Sequence, residues 1–388
     1  MHTPALTRLR LCLQHHVDQG LLPGAVALVH HRGRTVLHEA VGALRPGTPD
    51  AAPGPTLAPD SLFRIYSMTK PIASLVALML MEEGRLLLSL PVAHYLPAFA
   101  KQQVFDPATG GSRPVRREAT VHDLLRHTAG LSYAWGEGPV DQAYRAARIG
   151  SRKHDNAALA AALGPLPLVH EPGTTWEYSR ATDVLGAVLE AVEGVPLSTI
   201  LQRRVFDPLG MRDTGFSVPP AQLHRLAEPF ARDPQTGAEV ALNDVSAPPT
   251  FESAGGGLVS TANDYARFLQ VMLGRGTAPG PDVPQHTVRL VSRATVDFMT
   301  ADHLGAHIGT AGDILPPGYG FGLGVAVRRA TGVATSPASA GTYSWSGMAG
   351  TFFFVDPAED MFAILLTQAP GQLHYLTELY PALVYAAL

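Results

Sequence analysis

The sequence predicts an α/β protein of the α+β kind: an antiparallel sheet flanked by helices, plus a mostly helical part inserted within it. Three observations carry this. A β-hairpin pattern lies close to the start, strand patterns return only in the last 70 residues, and helices are indicated at both chain ends. Between the hairpin and the middle lies Ile72 to Met81, a ten-residue run interrupted only by Ser74. A helix without a polar face belongs inside a large core, and ten residues are too few to span a bilayer.

In chain order, Leu6, Leu9, Leu13 and Val17 recur at helical spacing and predict an amphipathic first helix. Ala25–Val29 and Thr35–Leu37 flank a turn at His30–Arg34 that carries Gly33, which predicts a hairpin. Residues 43–60, rich in proline and glycine, read as a loop. Pro71 is tolerated in a first helical turn, so the apolar helix is expected to begin near Ser67, and Gly84 suits its end. From about 95 to 250 helical stretches such as Thr120–His127 alternate with irregular ones. Within them, Ala181–Glu193 shows one apolar face and is followed by Gly194. Strand patterns return at Tyr319–Val327, Thr351–Val355 and Phe362–Thr367, and an amphipathic helix covers Leu373–Leu388. The expected organisation is a discontinuous α/β domain (1–95 and 251–388) with a mostly helical domain (96–250) inserted, the active site lying between them.

At 388 residues the chain can bury a large core, and a net charge of −4 argues against nucleic acid as a partner. A single cysteine, Cys12, excludes an internal disulfide framework. The N-terminal stretch lacks the apolar core and cleavage site of a signal peptide, so a cytoplasmic protein with no membrane association is expected.

The start of the apolar helix carries candidate chemistry. Ser67 and Lys70, three residues apart, share a helix face, so hydroxyl and amine can meet. A serine is a poor nucleophile until a neighbour takes its proton. A lysine takes it only when desolvated enough to lose its own, and a helix N-terminus favours a developing oxyanion. Arginine cannot substitute, because guanidinium does not deprotonate in proteins. Of 29 basic residues only Lys70, Lys101 and Lys153 are lysines. The tetrad alone also fits a helix cap followed by a surface lysine. Tyr178 stands just before the Ala181–Glu193 helix, where its phenol could exchange a proton with Ser67 or simply be structural. Gly347 and Gly350, within Gly341–Thr351, permit close approach to the backbone; an N–H there could pair with that of Ser67 as an oxyanion hole, and a plain bulged strand fits equally.

Ser67-Met-Thr-Lys70, Tyr178-Ser-Arg180 and Trp345-Ser-Gly347, in this order, resemble the three motifs of the serine β-lactamase and penicillin-binding protein superfamily. Leu124–Leu131, Glu171–Gly173 and Pro208–Met211 add to the likeness. Within that superfamily the chain most resembles the family VIII carboxylesterases, which share the class C β-lactamase fold. The resemblance implies Ser67 as the acylated nucleophile and Lys70 with Tyr178 as shared general base and acid. It further implies the backbone N–H groups of Ser67 and Met348 as the oxyanion hole. Tyr133, Trp345 and Gly347 are then expected around the substrate, a small ester, with no cofactor and no metal.

Two departures bear on the substrate. Trp345 stands where β-lactamases carry the lysine of Lys-Thr-Gly, which binds a substrate carboxylate, and Arg180 stands where Tyr-x-Asn has its amide. Both point to carboxylic esters of short to medium acyl chains. The rivals are a β-lactamase or D-amino-acid peptidase, acyl transfer to an alcohol or amine, and a binding protein without chemistry. Gly255-Gly-Gly257 lacks the Gly-Lys-Ser/Thr of a phosphate loop. His303 and His307 have the spacing of a metal-ligand pair on one helical turn but no second signature, and His122 and His127 read as structural hydrogen bonders.

Overall fold

The computed structural model describes residues 1–47, 52–281 and 286–388. The expected loop at 43–60 thus lies partly outside the described residues. Leu6, Leu9 and Leu13 are buried along one face of α1 (Thr3–Asp18). The chain then enters the sheet through β1 (Gly24–His31) and β2 (Arg34–Gly42). The strands are longer than the sequence suggests. Arg32 and Gly33, at φ 49° and 74°, make the turn alone, so His30, His31 and Arg34 belong to strands. Two consecutive positive φ angles match the right-handed twist of a tight hairpin.

The apolar run forms α2 (Thr69–Glu82), preceded by a 3₁₀ turn over Tyr66–Met68. Ser67 therefore sits in the 3₁₀ turn, not in the first α turn as expected. Ile72 to Leu78 are all buried, and Gly84 follows the end at φ 70°. Ser74 is small for a reason: it faces Gly324, where a Cβ would lie 2.4 Å from its Oγ.

In the middle of the chain, Thr120 caps α3 (Val121–Leu125) in a reciprocal capping box with Asp123. The packed helix α4 (Ala181–Glu193) has the bounds its periodicity predicts and ends on Gly194 at φ 73°. An antiparallel pair, Gln103–Asp106 with Gly111–Pro114, is added where strand signals are weak. Thr261 caps α5 (Ala262–Leu273), but Asp264 is not its reciprocal partner; its carboxylate accepts the Asp213 N–H at 2.7 Å and the Thr214 hydroxyl at 2.9 Å. After α6 (Arg293–Met299), residues 303–307 are not helical, so His303 and His307 do not share a helical turn.

Tyr319–Val327 is two strands, not one: β3 (Tyr319–Phe321) and β4 (Ala326–Arg328). Gly324 at φ 98° turns the chain between them. β5 (Tyr343–Gly347), β6 (Thr351–Asp356) and β7 (Met361–Thr367) follow, then α7 (Leu373–Tyr385). The seven-stranded sheet is antiparallel throughout, in the order β3-β4-β5-β6-β7-β1-β2. β1 is buried along its whole length because both faces are covered. Ala25, Ala27 and Val29 join the core under α1 and α7, whereas Val26 and Leu28 face the larger core containing α2. Tyr265 of α5 donates to the Met68 carbonyl at 2.9 Å and packs on Phe353 of β6, which ties the nucleophile turn to the sheet.

Two polar contacts fix α3 and the residues after it. Asp123, fully buried, accepts from Arg117, Arg126, Thr120 and Thr128, and these partners hold its carboxyl well below the usual range despite burial. His303 Nε2 bonds the Phe298 carbonyl at 2.7 Å, so it carries the proton and leaves Nδ1 to accept from His122 Nε2 at 3.0 Å. Burial, then the Arg126 charge, lowers His122 to about 4. Its neutral ring is therefore the form the fold stabilises. That contribution is complete above about pH 6.5 and is lost as the pH falls towards about 4. Unfolding by urea across this window is expected to show a loss of about 1.5 kcal/mol attributable to His122, allowing for its partial exposure. His122→Gln should flatten the curve there.

Candidate active site

Tyr66 adopts φ 43°, a left-handed conformation costly for a bulky side chain, and it turns the chain sharply into Ser67. Its hydroxyl accepts the Asn243 N–H at 3.0 Å, which helps hold it there. Gly256 passes over this backbone, where a Cβ would lie 3.5 Å from the Tyr66 carbonyl carbon. Lys70 follows in the first turn of α2 and is fully buried, whereas Ser67 remains half-buried.

The three expected side chains converge. Ser67 Oγ lies 2.6 Å from the Tyr178 hydroxyl and 3.1 Å from Lys70 Nζ. Lys70 Nζ also donates to the Gly255 carbonyl at 2.6 Å and lies 2.9 Å from the Tyr133 hydroxyl. No carboxylate is among these partners. An uncharged amine has two N–H donors and one lone pair. In that form, with the donors spent on Gly255 and Tyr133, the lone pair would face Ser67 Oγ. The arrangement can therefore take a proton from the serine.

Tyr178 stands at the crowded end of the loop before α4. Lys70 Nζ lies 4.6 Å from its ring centroid, and Trp345 Nε1 donates to its hydroxyl at 3.3 Å. His127 supports that loop: its Nδ1 accepts the Ser179 N–H at 3.2 Å. Burial holds His127 well below the usual imidazole range, which keeps Nδ1 free to accept. Burial also pushes the Tyr133 phenol well up, and the Asp183 carboxylate adds to it.

Trp345, on β5, packs edge-on against Phe321 at 5.2 Å and against Tyr178 at 5.2 Å. The close approach that Gly347 permits is to the nucleophile turn, since a Cβ there would lie 2.3 Å from the Ile65 carbonyl oxygen. β5 thus ends against the segment that carries Ser67, and Met348 follows with an exposed side chain. Among the described residues neither the Ser67 nor the Met348 N–H has an acceptor.

Sequence reasoning missed several participants. Gly255 carries no side-chain signature, and only its carbonyl acts. Trp135 stacks on Tyr133 at 4.6 Å and is 65 % exposed, an unusual state for an indole, but sequence gives no register for it. Arg180, just before α4, pairs with Asp183 in its first turn at 3.3 Å, a contact that sequence reasoning did not single out. Among the described residues no cluster of three or more metal-ligating side chains occurs, and no single helix is long and apolar enough to cross a membrane.

Comparison with known proteins agrees with the geometry. The Beta-lactamase family profile matches residues 9–387. Protein Rv1367c of Mycobacterium tuberculosis is 38% identical over 368 residues, 90% of this chain and 87% of its own. Esterase EstB of Burkholderia gladioli is 34% identical over 377 residues, 90% of this chain and 88% of its own. Among solved structures, EstCE1, described as a hydrolase with promiscuous acyltransferase activity, superposes with a TM-score of 0.80 at 28% identity, covering 99% of this chain and 98% of that one. With a family profile spanning nearly the whole chain and two relatives above 30%, the protein belongs to the β-lactamase family.

Proposed function

We propose that the protein is a serine esterase that hydrolyses carboxylic esters of short to medium acyl chains through an acyl-enzyme on Ser67. The observation that carries the reading is the convergence of Lys70 Nζ and the Tyr178 hydroxyl on Ser67 Oγ beneath a neutral aromatic wall. EstB and EstCE1 support the same chemistry by likeness.

In this mechanism the Lys70 amine takes the Ser67 proton as Oγ bonds to the ester carbonyl carbon. The carbonyl oxygen gains the charge and is held by the N–H groups of Ser67 and Met348. As the C–O bond breaks, Tyr178 gives its proton to the departing alcohol and regains one from Lys70. Water then repeats the sequence on the acyl-enzyme. Lys70 and Tyr178 act as one pair, so the two pH limbs belong to the pair and not to either residue.

Tyr133 and Trp345 form walls around the acyl and alcohol groups. With an indole in place of a cation, position 345 offers no partner for a substrate carboxylate, which disfavours β-lactams and D-amino-acid peptides. Acyl transfer to an alcohol uses the same intermediate, and the exposed Trp135 offers an apolar acceptor a surface beside Tyr133. The domain division at 95/96 and 250/251 is proposed on the same grounds, with Tyr133 and Tyr178 reaching Ser67 and Lys70 from the helical part.

Ser67→Ala is expected to lower p-nitrophenyl butyrate hydrolysis at least about a thousand-fold. Activity close to that of the parent would defeat the assignment. Tyr178→Phe should cost about 10²- to 10⁴-fold in kcat. Trp345→Phe keeps the ring but removes the indole donor to Tyr178; kcat should fall about tenfold, the value of one hydrogen bond, with KM little changed. Nitrocefin turnover by the parent, assayed beside the ester, should be slower by at least about a hundredfold in kcat/KM, and comparable rates would favour the β-lactamase alternative.

A further inference from the structure

Arg180 occupies a position where the resemblance supplies no role, and the structure gives it one. Its Nη1 donates to Asp183 Oδ2 at 3.3 Å, and its guanidinium carbon lies 5.4 Å from the Tyr133 ring centroid. Asp183 is 1% exposed. Its Oδ1 accepts the Ser253 hydroxyl at 2.6 Å and the Gly255 N–H at 2.9 Å. Gly255 is pressed against this carboxylate, since a Cβ there would lie 2.8 Å from Oδ1. The other end of the same residue is the carbonyl that receives Lys70 Nζ at 2.6 Å. One residue thus joins the carboxylate to the amine.

We propose that Arg180 and Asp183 are positioning residues: a charge-balanced pair that holds the Gly255 carbonyl on Lys70 and sets how tightly Lys70 keeps its proton. The inference rests on the esterase reading above. Asp183 alone, buried near the amine, would favour the ammonium form and weaken the base. Arg180 opposes that field while leaving the hydrogen bonds of Asp183 to Ser253 and Gly255 in place. The remaining ionisable groups around Lys70 come from other elements: Tyr133 from the loop after α3, Tyr178 from the loop before α4, and His127 from just beyond α3. None of these is a carboxylate or a guanidinium, so the Arg180–Asp183 balance governs the local field.

The pair therefore predicts opposite signs. Arg180→Met leaves the carboxylate unopposed, and the acidic limb of kcat/KM for p-nitrophenyl butyrate should move to higher pH. Asp183→Asn keeps an amide oxygen for Ser253 and Gly255 but leaves the guanidinium, and the limb should move to lower pH. Each displacement should be about one pH unit, the size expected for a unit charge about 8 Å away, one residue beyond the amine's carbonyl partner, at an effective dielectric of about 30. The double variant should return towards the parent, and Arg180→Lys, which keeps the charge, should leave the limb in place.

Should Asp183→Asn fail to fold by circular dichroism, Arg180→Met against Arg180→Lys carries the test by itself. A limb unmoved in Arg180→Met, or moved in the same direction by both single variants, overturns the proposal. The two readings fail differently. A parent inert towards every ester overturns the esterase assignment and this inference with it, whereas an active parent with an unmoved limb overturns this inference alone.

Discussion

The contact on which the rest depends is the three-way holding of Lys70 Nζ by the Gly255 carbonyl, the Tyr133 hydroxyl and Ser67 Oγ. A lysine at zero exposure is expensive to bury unless each of its donors is met. Meeting them takes three separate parts of the chain. α2 delivers the amine, the loop after α3 delivers Tyr133, and the segment before α5 delivers Gly255. The apolar length of α2 makes this rigid, because its residues from Ile72 to Leu78 are locked in the core on all sides. The amine cannot retreat towards solvent, so its surroundings decide its chemistry.

A second constraint is neutrality. Apart from Lys70, the side chains around Ser67 named above are aromatic, and Arg180, which faces Tyr133, is already engaged by Asp183. The indole at 345 serves two purposes at once: it packs edge-on against Phe321, and it aims an N–H at the phenol of Tyr178. A lysine at the same place would instead present a charge to the substrate. On the proposed reading, the exchange at this one position would shift the preference between substrate classes without a change of fold.

Much of this was legible in the residues, for identifiable reasons. α4 was read to its last residue because its apolar positions are strictly periodic and Gly194 ends it. Ser67, Lys70 and Tyr178 stood out because they carry chemistry in their side chains. What escaped was set by backbone or by tertiary contact. Gly255 acts through a carbonyl that every residue possesses. The break within Tyr319–Val327 depends on Gly324 approaching Ser74, and nothing local announces it. The 3₁₀ turn at Ser67 follows from the strained Tyr66, whose φ is held by Asn243 from 177 residues away. The Gln103–Asp106 ladder is short and half-exposed, with little apolar alternation to mark it.

The place of β1 in the sheet has a consequence for how the protein comes into being. It lies between β2 and β7, and Thr367 of β7 donates to the carbonyl of Gly24, 343 positions earlier. While the chain is being synthesised, the β1–β2 hairpin carries one satisfied edge and one open row of amides and carbonyls. That edge stays open until β7, 343 positions after Gly24, has left the ribosome. Closure is thus a late, long-range event, of the kind that folds slowly and is vulnerable to pairing with a neighbouring molecule. Recovery of active protein after dilution from denaturant should accordingly decline with concentration, set by how fast the last strands find the first.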